Sequence, residues 1–89
     1  MYNPNELTSD DYVTYRLMRF GEAGRFGDKG AKLAGRQHGV GARAWLFYES
    51  GHRKPSLTER RRIARWLTKR ADADAKLQEV TDYAGAKEA

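Results

Sequence analysis

Residues 39–51, Gly-Val-Gly-Ala-Arg-Ala-Trp-Leu-Phe-Tyr-Glu-Ser-Gly, decide how this chain is read. Glycine enters a left-handed turn at little cost, so Gly39 marks a reversal and Val40 an apolar plug behind it. Trp45 and Tyr48 recur at the three-residue spacing of inward helix positions. Gly51 supplies a C-terminal stop. The stretch predicts a turn and a short helix over 41–50, with one face buried and the other free.

Outward on the C-terminal side, His52, Arg53, Lys54 and Pro55 form a basic loop in which proline keeps Lys54 out of helical geometry. Ser56 to Glu59 reads as a capping box, with Ser56 covering a first-turn amide and Glu59 reaching back. The helix that follows, Leu57 to about Ala71, places Ile63, Trp66, Leu67 and Ala71 on one side and Arg61, Arg62, Arg65 and Lys69 on the other. That basic face reads as solvated, with phosphate or partner contact as the alternative. A last helix, from Asp72 or Asp74 to Tyr83, would line up Ala73, Leu77, Val80 and Ala84, either against the core or against a second copy.

On the N-terminal side, a helix is expected from Asp28 to His38, with a small-residue surface at Ala31, Ala34 and Gly35 that lets another helix cross closely. Before it, Gly21, Gly24, Gly27 and Gly30 recur at intervals of three. The array is too short for a collagen-like helix and follows no strand, so it reads as a connector; the alternative is a phosphate-cradling loop with Arg25 and Lys29. Helix one starts at Thr8 or Ser9, with Asp10 and Asp11 at the positive end of its dipole and Leu7 stapled to Tyr12. Val13, Leu17 and Phe20 are spaced as its buried stripe, with Arg16 and Arg19 on the wetter side. Residues 1–7 read as a flexible arm.

The chain has 89 residues and no cysteine, which excludes a disulfide framework, thiolate zinc sites and thiol catalysis. At this size the core is shallow, and association with a second copy is the expected help. Neither a membrane span nor a signal peptide is evident, and a cytoplasmic protein is expected. The formal net charge of +5 hides a sharper pattern, because residues 12–71 hold 15 Lys or Arg against four acids while both ends are acidic. Such a body attracts polyanions, nucleic acid first among them.

Taken together, the residues from Lys32 to Leu67 resemble the helix-turn-helix of the Cro and phage-repressor (Xre-type) family. Gly39 and Val40 match the family's turn, and Trp45 and Tyr48 its inward recognition-helix positions. Glu49, Gly51 and Arg53 to Ser56 match the exit, while Ile63, Ala64 and Leu67 match the apolar pattern of the next helix. The family's usual alanine and leucine before the turn are replaced here by Gly35 and His38. His38 either points outward or is a hydrogen-bonded, half-core histidine. With only His52 as a second imidazole, no metal role is read, and no cofactor is expected.

The resemblance implies an all-α fold, a small bundle of about five helices with a lambda-repressor-like helix-turn-helix. The chain then divides into the arm (1–7), the DNA-binding domain (8–71) and an acidic C-terminal helix and tail (72–89), a candidate dimerisation element whose stripe of Leu77, Val80 and Ala84 is the candidate dimer interface. The resemblance further implies double-stranded DNA as partner and a homodimeric repressor on an inverted-repeat operator, of the kind found on mobile elements. Arg43, Ala42 and Phe47 would read bases, Phe47 alternatively packing in the core or an interface; Leu46 is assigned to core or interface. Arg36, Gln37, Arg53 and Lys54 would contact phosphates. The competing class is an interaction module such as an antitoxin or adaptor; an RNA reader lacks aromatic platform motifs, and no catalytic spacing is present. No membrane contact and no small-molecule ligand are evident in the sequence.

Overall fold

Glycines with positive φ follow the first three long helices: Gly21 at 74°, Gly39 at 72° and Gly51 at 82°. The computed structural model describes residues 1–21 and 28–88, with side chains described for 1–21 and 29–77. A 3-10 turn, Pro4–Glu6, precedes α1 (Ser9–Phe20), α2 (Asp28–Gln37), α3 (Ala42–Ser50) and α4 (Leu57–Glu88). The described residues are all-helical. Arg25 and the glycines between residues 22 and 27 lie outside them; Lys29 is exposed on the first turn of α2.

Helix α1 is capped by Thr8, whose hydroxyl accepts from the Asp11 amide while the Asp11 carboxylate accepts from the Thr8 amide at 2.8 Å. The capping box expected at Ser56 is thus realised in full at Thr8. The inward face of α1 also differs from the expected one. Leu17 is exposed and Val13 only half-buried, whereas Tyr12 and Tyr15 are buried. Of the apolar stripe Val13, Leu17 and Phe20, only Phe20 packs against the core, while Tyr12, Tyr15 and Arg16 share a helical face beside it. Tyr12, Tyr15 and Arg16 turn inward, where Arg16 and the Tyr15 hydroxyl find partners, while Arg19 stays exposed and donates to the Tyr15 hydroxyl from outside.

Tyr12, Tyr15, Trp45 and Tyr48 form the centre of the core, with Ala31 and Ala34 of α2 and Ile63 and Leu67 of α4 around them. Tyr12 meets the Trp45 ring edge to face at 6.2 Å, and Tyr15 lies 5.7 Å from it. Each such buried aromatic contributes about 2–3 kcal/mol by burial alone, which lets a small chain dispense with a deep aliphatic interior. The Arg16 Nε donates to Glu49 Oε2 at 2.9 Å, and Nη2 donates to Oε1 at 3.0 Å. This fork ties α1 to α3 across a half-buried gap, so Arg16 is not on a wet face.

Helix α4 holds the largest departure from expectation. One helix of 32 residues replaces the predicted pair, since 70–76 contain no glycine or proline to interrupt it and Arg70 pairs with Asp74 one turn on at 3.4 Å. Ile63, Ala64 and Leu67 are buried and Trp66 is half-buried, but Ala71 is exposed, so the core ends before it. At 1.5 Å per residue the helix runs about 48 Å, close to the 51 Å length of the molecule. The N-terminal residues are ordered against it: the Tyr2 amide donates to Thr68 Oγ1 at 3.0 Å, and Tyr2 and Leu7 pack on the core. Leu77 is exposed; the side chains of Val80 and Ala84 lie outside the described residues.

Candidate functional site

The connection from α2 to α3 is closed by backbone alone. The Val40 amide donates to the Gly35 carbonyl at 2.8 Å and the Gly39 amide to the Arg36 carbonyl at 3.3 Å, with Gly39 in the left-handed region. This is the double hydrogen bond of a Schellman stop. A Cβ at Gly35 would meet the Val40 carbonyl oxygen at 2.6 Å and that of Gly41 at 2.8 Å. Glycine at 35 is therefore the condition for the turn to fold back on α2, a stricter demand than a merely small residue.

Helix α3 ends the same way. The His52 amide donates to the Phe47 carbonyl at 3.0 Å and the Gly51 amide to the Tyr48 carbonyl at 3.3 Å. Between the two stops the helix has two faces. Trp45 and Tyr48 point inward, 0% and 8% exposed, and Val40 and Ala42 are partly buried against the same core. Arg43, Leu46 and Ser50 are exposed, so Leu46, assigned above to core or interface, is in solvent within this chain. Ala42 sits at the edge of the core rather than fully on the outer face.

Phe47 lies between those two faces. It is half-buried, with the Arg43 guanidinium 5.8 Å and the Arg53 guanidinium 5.1 Å from its ring centroid. One ring thus orders a cation from α3 and a cation from the exit loop on a common surface, at about 0.5–1 kcal/mol per exposed contact. Lys54 is exposed beside them and Pro55 is buried, which anchors the loop. At the other end of α3 no side chain caps the first amides, and a shallow recess there is lined by Lys32, Arg36, Gly39, Val40, Gly41 and Ala42. Open amides at the positive end of a helix dipole favour an anion. Arg36 and Gln37 are both exposed. Lys32 was not singled out in the sequence, although it precedes Arg36 by one helical turn and shares its face.

His38 proves to be the hydrogen-bonded core histidine. Its side chain is 2% exposed and stacks on Trp45 at 5.5 Å. Arg19 donates to the Tyr15 oxygen at 2.6 Å, the Tyr15 hydroxyl donates to His38 Nε2 at 2.7 Å, and His38 Nδ1–H donates to Glu59, an assignment of protons that satisfies every group. Arg62 Nη1 donates to the same carboxylate at 3.3 Å. Burial pushes the His38 imidazole below its ordinary range, partly offset by Glu59. Burial raises the Tyr15 hydroxyl, against the pull of Arg19. Glu59 therefore faces His38 rather than reaching back to cap α4, where Ser56 accepts only a long bond from the Glu59 amide at 3.4 Å.

Searches against protein-family models, curated proteins and solved structures returned no match for this chain. Among the described residues no helix is long and apolar enough to cross a membrane.

Proposed function

We propose that this chain is a sequence-specific, DNA-binding transcriptional regulator in which α2, the Gly39 turn and α3 act as a helix-turn-helix and α3 is the recognition helix. The observation that carries the reading is the outer face of α3. A helix fixed by Trp45 and Tyr48 behind it presents Arg43 and, through Phe47, Arg53 on one exposed surface. Arg43 reads guanine through O6 and N7, Phe47 aligns it or meets a thymine methyl, and Ala42 lets the helix start approach the groove closely. Arg36, Gln37, Arg53 and Lys54 hold phosphates, and Lys32 joins them beside the open start of α3.

One such domain offers a single strong base reader, so pairing is part of the proposal. Two copies would read an inverted repeat with recognition helices about 34 Å apart. The distal half of α4, which carries Leu77, Val80 and Ala84, is the proposed pairing element, and repression at its own or a neighbouring promoter is the simplest outcome in the cytoplasm. Selection of bound sites from random duplex DNA, with light scattering on the same protein, tests the whole reading. A palindromic consensus and a dimer mass are expected. A flat selection at physiological salt sinks it, and a stable complex with another protein in that case favours the adaptor class.

A further inference from the structure

We propose that the recess between the ends of α1 and α2 and the first half of α4 is a binding site for a small diphosphate-bearing anion. The recess is a cavity of about 210 Å³ whose lining includes Arg19, Arg62, Arg65 and Lys69. Nothing in the DNA reading assigns it. None of its lining residues belongs to α3 or its exit, and Gln37 alone is shared with the residues proposed to hold DNA phosphates.

Charge selects the ligand class. Four cations line the recess and one carboxylate, Glu59, lies beside it, already accepting from His38 and Arg62. Like charges drawn together around a concavity repel one another, and an anion placed among them removes that repulsion while gaining charge-assisted hydrogen bonds. A single phosphate, with about −1.5 to −2 charge, would leave the group partly unneutralised; a diphosphate matches it better. The cavity lies below the roughly 300 Å³ at which pockets for drug-sized molecules begin, so a compact anion fits and a large one does not.

Preorganisation is the second observation. The Arg19 guanidinium lies over the rings of Tyr15, Phe20 and Trp66 at 5.6, 5.5 and 5.8 Å and donates to the Tyr15 hydroxyl. A guanidinium held in this way loses little freedom on binding. The floor is the buried His38 ring, both of whose nitrogens are engaged, and Trp66 forms a half-buried wall. The floor is thus closed and satisfied, and the unsatisfied charge is all on the rim.

Calorimetric titration of the full chain with inorganic pyrophosphate, at constant ionic strength, tests the site. Saturable binding is expected, and Arg65→Gln and Lys69→Gln should each weaken it about tenfold as charge-assisted contacts are lost. Arg61→Gln, on the same helix but outside the recess lining, and Arg43→Ala, on α3, should leave it unchanged. Heat that fails to saturate, or equal weakening by Arg61→Gln, overturns the proposal. So does a loss of duplex DNA affinity in Arg65→Gln and Lys69→Gln as large as the loss of pyrophosphate, since the recess would then be DNA contact surface. The site does not rest on the DNA reading: pyrophosphate binding with a flat selection of DNA sites would sink that reading and leave this one standing.

Discussion

The ends of α2 and α3 use the same pair of backbone hydrogen bonds and the same left-handed glycine, yet one is packed and the other open. The residue four positions before the left-handed glycine makes the difference. In α2 it is Gly35, buried, with the Val40 and Gly41 carbonyls where a Cβ would lie. In α3 the equivalent residue is Phe47, half-buried, with two arginines laid against its ring. One local solution therefore serves two ends. Where the turn folds back on its helix, the position is stripped to backbone; where the helix end is open, the same position carries a phenyl ring.

The comparison breaks first at Gly35. Gly35→Ala pushes a methyl into two carbonyl oxygens that cannot rotate away, and we expect a loss of about 3 kcal/mol in urea unfolding, at the upper end of overpacking costs. A loss below about 0.5 kcal/mol, the range of ordinary surface changes, would show that the turn can move and that glycine there is incidental. At the open stop the effect moves from stability to binding. Arg43→Ala should leave unfolding unchanged and weaken binding to a selected DNA site by about 1–3 kcal/mol, with discrimination relaxed at one base pair. Equal binding to all sites by the unaltered protein would remove the functional half of the contrast.

Much of this architecture was legible in the residues, and the misses share a cause. Gly39, Trp45, Tyr48 and Gly51 announced the turn, inner face and stop of α3 because glycine geometry and helical spacing are local. Helix α1 is legible along the chain but not in its rotation, because Tyr12, Tyr15 and Arg16 count as polar until Trp45, His38 and Glu49 are brought to them by tertiary packing, whereas Arg19 is exposed as its spacing predicts. In the sequence Gly35 is merely small, since the carbonyls that forbid a Cβ come from the turn folding back. The continuity of α4 is not legible because the acidic run after Ala71 has the composition of a new helix start, although alanine and an i, i+4 pair propagate a helix as well as begin one. Arg43 stood out by charge, whereas the part played by Phe47 depends on Arg53, which reaches it only after the chain turns at Gly51.

Gly39→Ala and Gly51→Ala give a finer measurement of the same comparison. Both positions have positive φ and neither has an atom within 4 Å of an added Cβ, so strain of the left-handed backbone is the shared cost. Each should lose about 1 kcal/mol, and the two should agree within roughly 0.5 kcal/mol. A much larger cost at Gly39 would mean that the packed stop adds a constraint beyond its φ angle.

The smallest effect separates the two stops by pH, because His38 lies just before Gly39 and is bound into the core. Burial holds its folded pKa below the ordinary 6.5, with Glu59 opposing. Below that value the unfolded chain takes up a proton that the folded chain refuses, so stability falls as pH drops from 6.5 toward the lowered folded pKa and is fully present above 6.5. Glu59 acts in the same direction. Its burial alone would raise the pKa, but hydrogen bonding and charge from His38 and Arg62 outweigh that and hold it below 4.5, so its contribution is present above 4.5 and lost as pH falls through the folded value. Urea midpoints should therefore decline gently on acidification in two steps. Glu59→Gln should remove the lower step and deepen the upper, because an amide oxygen still accepts from His38 Nδ1 but the charge that opposes burial is gone and nothing remains there to protonate in the carboxylate range. Midpoints that rise on acidification would mean that His38 is held as a cation, and the proton order from Arg19 through Tyr15 to Glu59 would have to be reversed at the imidazole.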